Sequence, residues 1–463
     1  MGMFQKLLLI KDQSEWTEEH KIAQGMKASI IEGIGAVVFL IVTQGVYFTK
    51  IALSFGADEF TLGLLGSIQF LSMTFQLIVP RVVERLSRRK QFTLILSVVS
   101  RLIWSLFLIF PLIGIMNTEL FIATVSISFI SGSMANNAWT SWMRDLVPRE
   151  KMGKFYGRRN LILSFVSMMT VLLYSNILDQ MPGETGIRII LVLSLSGAAF
   201  AGFFLSRQYE PPLKESSSWS EIRAAIQNKN FQKLLTFAFF WNFTLLVSAP
   251  FFSFHMIENL QLPFTLMGYL AILSSIVSMI FYIIWGKLSD RIGHKNILRV
   301  GIGLASCLAL LWFFMTPETM AVLLWTDSII TGVAWSAINL AIFTVPLLVA
   351  GKSSGVYLSL FAALSGLGGF SGSLIGGILA KQLSEYRFFL GQMPMYGIQI
   401  LFLLGFGMRI SALLLLNRVE VTGHVRLRSF VLNGFLLLSR KTTLEHFDNL
   451  NRAKFVEPPS DNP

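Results

Sequence analysis

Twelve long apolar runs constrain this chain more than any other feature of its sequence. They fall at roughly 28–55, 61–83, 91–115, 120–142, 160–178 and 187–206, and then at 233–257, 264–285, 297–316, 320–349, 354–380 and 396–418. A bilayer core of about 30 Å is crossed by about 20 residues of helix. Barrel strands alternate in polarity and are about ten residues long, so these runs predict helices. The chain is 53% hydrophobic and only 14% charged, well below the roughly 25% charged of a soluble domain. Disordered chains and soluble enzymes are excluded on that balance. One cysteine, Cys307, leaves no disulfide framework and no Cys-based zinc site. The histidines (His20, His255, His294, His424 and His446) have no metal-ligand spacing, so no metal or cofactor is expected. The stretch Met1–Ser14 has too short an apolar run, Leu7–Ile10, to read as a signal peptide.

The net charge of +12 would suggest a nucleic-acid partner in a soluble chain, but its distribution gives another reading. With both termini in the cytoplasm, the inside segments hold 32 Lys or Arg and the outside loops hold 4. That asymmetry is the positive-inside pattern of an even number of spans. It places the chain in a cell membrane, with lipid and not nucleic acid around it. The expected layout is a cytoplasmic segment 1–27, a first group of six spans over 28–206, a linker 207–232, a second group over 233–418, and a tail 419–463. The linker carries Pro211–Pro212 and Ser216–Ser218. In the tail, Phe430–Leu438 is too short to span and is flanked by Arg426, Arg428, Arg440 and Lys441, which predicts a helix lying on the membrane surface.

The two halves repeat. The segment Pro80–Lys90 aligns without a gap on Gly286–Asn296, 206 positions later, and both place an acid–Arg pair four residues in. Gly286 would let a helix end approach a neighbour, and Gly293 would take a turn closed to other residues. Asp290 offers an acceptor for a helix N-terminus, and Arg291 a directional donor.

Gly286-Lys-Leu-Ser-Asp290-Arg291-Ile-Gly293-His-Lys resembles the cytoplasmic loop signature of the major facilitator superfamily. The copy at 80–90 is degenerate, with Pro80, Glu84 and Ser87 in place of the family's preferred residues. A further basic loop, Asp145-Leu-Val-Pro148…Gly157-Arg158-Arg159, is similar to the family's other one. The resemblance implies an all-α polytopic membrane protein, with twelve transmembrane helices as two pseudo-symmetric six-helix bundles rocking around a central cavity. It further implies that Glu84/Arg85 and Asp290/Arg291, with Gly286, Gly293, Arg158 and Arg159, form gate latches, and that spans one, four, seven and ten line the cavity. The fifth span, Leu161–Leu178, lacks the Gly-Pro element of proton-coupled drug exporters. Gly368, Gly372 and Gly376, continued by Ala380, form a small-residue row for close helix packing.

Four ionisable residues fall inside spans: Glu32, Arg101, Asp327 and Arg409. An unpaired charge there costs several kcal/mol, about 2.5–3.5 on insertion scales, so each should face a partner or a water path. Glu32 and Asp327, on lining spans by the resemblance, are the candidates for proton coupling. Arg101 and Arg409 read as structural or gate partners. Polar stripes at helical spacing on the four lining spans nominate Tyr47, Asn137, Trp241, Asn242, Thr331, Trp335 and Asn339 for the cavity. His255 reads as a satisfied interfacial residue.

The resulting expectation is a secondary transporter, acting as a monomer, for a small polar or amphipathic organic solute, with H+ as candidate coupling ion. No Walker loop is present to hydrolyse ATP. A non-transporting sensor or assembly factor of the same fold is the alternative; a membrane enzyme lacks a catalytic pair.

Overall fold

The computed structural model describes residues 17–86, 88–181, 183–212, 223, 225–350, 354–391 and 393–421. Among these, twelve helices are long and apolar enough to cross a membrane: Glu18–Thr43, Glu59–Leu77, Arg89–Leu112, Thr118–Leu146, Met152–Gln180, Glu184–Ser206, Lys229–Asn259, Phe264–Ser289, His294–Phe313, Met320–Val349, Tyr357–Leu383 and Gln399–Asn417. They are called spans one to twelve below. The near face is where span one begins and span twelve ends, and the far face is the opposite one. The surface helix expected at Phe430–Leu438 and the centre of the linker, 213–222, lie outside the described residues.

Local chemistry sets several span ends. Asp58 accepts the Thr61 N–H at 2.8 Å, and Asn117 and Asn228 cap the starts of spans four and seven in the same way. A short side chain that accepts an orphan N–H in the first turn stabilises a helix start by about 1 kcal/mol.

Span one departs from the expected 28–55. It begins earlier, at Glu18, and ends at Thr43; an extended Gln44 then leads to a separate helix, Gly45–Ser54. Gly45 has φ +59°, which only glycine takes without strain. Span seven is broken at the corresponding place. Its first helix ends at Leu246, and Pro250, which has no N–H to donate, opens the next short helix, Ala249–Phe254. A π turn, His255–Asn259, completes it. The first helix of each half is therefore interrupted at positions about 206 residues apart.

Each half has its own buried clusters, and Val46, Phe254 and Phe264 pack against one cluster of each half. In the first, Phe39, Trp104, Phe107, Phe121 and Tyr174 pack together, with Trp142, Leu146 and Phe155 nearer the termini. In the second, Phe231, Ile297, Ala337 and Leu416 form one cluster and Phe251, Trp312 and Phe402 another. The fold is all-α as expected, with one short loop element of strand. An antiparallel hairpin, β1 (Arg387–Leu390) with β2 (Met393–Tyr396), joins spans eleven and twelve at the far face. Its tip holds Gly391 at φ +65°, and Arg387 stacks 4.2 Å above the Tyr396 ring.

Candidate functional site

In the first bundle, three spans bring charges together beside a tryptophan of a fourth. Arg101 on span three donates to Glu32 on span one at 3.0 Å, and Arg159 on span five stands 4.0 Å from the other Glu32 oxygen. The Arg159 guanidinium lies over Trp139 of span four, 4.8 Å from the ring centroid. Gly33 makes room for it, since a Cβ there would stand 3.0 Å from an Arg159 nitrogen. Sequence reasoning assigned Glu32 to proton coupling and Arg159 to a latch. The fold places them in one cluster with Arg101, holding two cations and one carboxylate.

The second bundle handles its charges separately. Asp327 on span ten accepts the Trp312 indole N–H from span nine at 2.8 Å. Among the described residues no cation lies within ion-pair distance of it. Arg409 on span twelve is buried with no carboxylate partner among the described residues. It donates to the Ala305 carbonyl and to Ser248 Oγ, both at 2.9 Å, and more weakly to the Leu245 carbonyl. Those last two acceptors lie at the break in span seven. Arg409 thus replaces backbone donors that the helix interruption removes, and ties the break to span nine.

Two buried cations missed in the sequence anchor the bundles near the termini. Arg89 is 2% exposed and pairs with Asp145 at 2.6 Å and Glu210 at 3.8 Å, while donating to the Pro211 carbonyl at 3.2 Å. Lys295, also 2% exposed, donates to the Asn417 carbonyl at 3.1 Å and to that of Val419. Arg89 and Lys295 are 206 positions apart, as are their acceptors Pro211 and Asn417. The repeat is therefore present at the level of hydrogen bonds, and its sequence signal was the basic position in both aligned loops. At the surface, Lys233 bonds Glu420 at 2.8 Å and holds that carboxyl below the usual carboxylate range.

The bundles join at the far face. Asp179, at the end of span five, accepts the Phe264 and Thr265 N–H groups that start span eight, at 2.8 and 2.7 Å, and the Thr265 hydroxyl. Lys381 of span eleven pairs with Asp58 before span two at 3.0 Å. Burial pushes the Asp58 carboxyl up, but the Thr61 side-chain and backbone donors and Lys381 outweigh that and hold it below its ordinary value. Between these points Gly63 of span two meets Gly377 of span eleven, and Ser373 Oγ donates to the Gly63 carbonyl at 2.8 Å. The opposite face of span eleven carries the small-residue row. A Cβ at Gly368, Gly372 or Gly376 would collide with the carbonyls of Phe239, Phe243 or Val247 on span seven.

The nominated cavity residues separate into three kinds. Tyr47 and Trp241 are corrected to packing residues. Tyr47 is buried, hydrogen-bonded to the Val171 carbonyl and Ser175 and set edge-on against Tyr174. Trp241 lies within the core of the second bundle. Asn242 is half-buried and turns its amide back to the Ala238 carbonyl. Asn137, Thr331 and Trp335 are half-buried, and Asn339 is exposed beside the Tyr282 hydroxyl. His255 is fully buried, its ring nitrogens matched to the Met315 carbonyl and Asn259.

Of the nominated latches, Glu84 and Arg85 lie exposed on the helix Val79–Leu86, and Arg158 is exposed. The side chains of Asp290 and Arg291 lie outside the described residues. Gly293 has φ +86° between spans eight and nine, as its turn requires. Gly286 is corrected: a Cβ there would meet nothing within 4 Å, so no close helix approach depends on it.

The description "Major Facilitator Superfamily" belongs to the family model that matches residues 33–373. The chain belongs to that superfamily and is a multi-pass membrane protein with its transporter fold. Among solved structures, the nucleoside transporter NupG is similar at a TM-score of 0.64 and 13% identity, covering 87% of this chain and 100% of its own. A D-xylose–proton symporter gives 0.60 and 14%, covering 88% and 99%. A bacterial homologue of the human lysosomal transporter Spinster, inward-facing and unoccupied, gives 0.58 and 14%, covering 87% and 97%. At these identities the likeness is one of fold. No curated protein matches the chain.

Proposed function

We propose that the chain is a secondary transporter that moves a small polar or amphipathic organic solute by alternating access. In this reading it works as a monomer in the cell membrane with both termini in the cytoplasm, and the structure is its far-closed state. The observation that carries the reading is the far-face junction. The bundles meet there through the Gly63–Gly377 crossing, the Asp58–Lys381 pair, the Asp179-capped start of span eight, and Val46, Phe254 and Phe264, which pack against buried clusters of both halves. In this reading those contacts hold the closed state and part when the far face opens.

Asp327 is the better placed of the two coupling carboxylates. Its hydrogen-bond partner is a neutral indole, so gaining a proton leaves no cation unbalanced. Glu32 answers to two guanidinium groups, and neutralising it would strand both in the membrane. The test uses the purified full chain in liposomes. Labelled nucleosides, pentoses and organic anions, each supplied singly, are expected to include one that undergoes counterflow without ATP. Asp327→Asn should abolish its proton-driven accumulation and spare counterflow. Accumulation with unchanged pH dependence in that variant would overturn the assignment of Asp327.

A further inference from the structure

We propose that Arg101, Arg159, Glu32 and Trp139 form an anion-binding subsite that takes the carboxylate of a small organic anion. The charge count is the first reason. The cluster holds two guanidinium groups and one carboxylate, a surplus of one positive charge inside a membrane span, where an uncompensated charge is costly. The other buried cations in spans are satisfied differently. Arg89 is matched by two carboxylates, and Arg409, though it has no carboxylate among the described residues, fills both terminal nitrogens with carbonyl and hydroxyl acceptors, so that each leaves only its Nε without a hydrogen-bond acceptor.

Unused donors are the second reason. Arg101 Nη1, Arg159 Nε and the Trp139 indole N–H are all buried with no acceptor among the described residues. A lone unpartnered Nε also occurs at Arg89, Arg188, Arg299 and Arg409, but here donors of two guanidinium groups and an indole gather in one cluster; buried donors are ordinarily satisfied, and the three together offer a place for an acceptor. Ser29, one turn before Gly33 on span one, is also fully buried with an unpartnered hydroxyl. A planar carboxylate suits the fork of guanidinium donors, and one negative charge cancels the surplus. Glu32 is the internal occupant. Its contact with Arg159 is the looser, at 4.0 Å against 3.0 Å to Arg101, so Arg159 is the group an incoming carboxylate takes first. Access follows from the neighbours. The Arg101 and Arg159 side chains each keep 14% exposure, and Asn136 and Thr140, flanking Trp139 on span four, are exposed.

This names the solute class of the transporter reading and rests on it, so binding is tested apart from transport. The probe is benzoate, with benzamide as the neutral isostere. Both are titrated calorimetrically into the full chain in phosphatidylcholine nanodiscs. Benzoate should bind and benzamide should not. Arg159→Gln should weaken benzoate about tenfold, the scale of one lost charge-assisted hydrogen bond. Glu32→Gln should tighten it, because the competing carboxylate is gone; a purely structural ion pair predicts no such gain. If Arg159→Gln does not fold, the sign of the Glu32→Gln effect decides. Equal binding of benzoate and benzamide, or unchanged or weaker binding in Glu32→Gln, overturns the proposal. Stabilisation by phosphatidylglycerol nanodiscs without benzoate binding also overturns it and assigns the site to a lipid headgroup. Counterflow of a neutral solute with no benzoate binding removes only this subsite; benzoate binding with no counterflow of any solute removes the transporter reading instead.

Discussion

Asp179 accepts the Thr265 backbone N–H at 2.7 Å, so a carboxylate of one bundle completes the start of a helix in the other. An orphan helix N-terminus and a negative charge attract each other through both hydrogen bonding and the helix dipole. Here that attraction crosses the boundary that must open if the bundles rock.

The glycine rows predict opposite outcomes for similar substitutions. Gly372→Val forces a side chain into the Phe243 carbonyl, and overpacking of this kind typically costs about 1–3 kcal/mol. The melting temperature of the purified chain should fall accordingly. Gly286→Ala meets open space and should leave that temperature within the small range of surface changes, about ±0.5 kcal/mol.

Arg89 and Lys295 occupy equivalent places but should respond unequally. Arg89→Met leaves the buried Asp145 with only the exposed Arg144, at 3.5 Å; breaking a buried pair costs about 3–5 kcal/mol. Lys295→Met loses only bonds to carbonyls that end span twelve, and should cost less. Thermal unfolding of the two variants side by side checks the order.

Acidity should release the Asp58–Lys381 contact only below the ordinary carboxylate range. The Asp58 carboxyl is held below its usual value in the closed state. Its contribution to closure is therefore complete above about pH 4, the unperturbed carboxylate value, and is lost as pH falls through the lowered one. Labelling of a cysteine at Ser54 by an impermeant maleimide, in a Cys307→Ser background, should be flat between pH 5 and 8. Asp58→Asn should raise it throughout that range.

Much of the fold was legible because the membrane makes hydrophobic runs and charge placement nearly sufficient. Span ten was expected at 320–349 and runs Met320–Val349. The breaks in spans one and seven were not read, because Gly45 and Pro250 sit inside runs whose hydropathy continues unbroken. The Gly368 row could be read from its spacing alone. The cavity nominations fared differently. A helical wheel gives a direction on one helix and not what stands opposite, so Tyr47 and Trp241 looked like wall residues while tertiary contacts buried them. The Glu32–Arg101–Arg159 cluster joins positions up to 127 apart in the chain, and nothing local connects them. The Arg89 and Lys295 anchors were within reach, since the 206-residue repeat marks both.

The central claim is that the far face opens and closes. Distances between spin labels at exposed Glu119 and Glu318, which begin the far-face ends of spans four and ten, read that motion directly. In the Cys307→Ser background the wild type should show mainly one short distance. Asp179→Ala, which removes charge-assisted bonds to span eight, should move the population toward a longer distance by about tenfold in the equilibrium. A single distribution, unchanged by Asp179→Ala, would contradict the account.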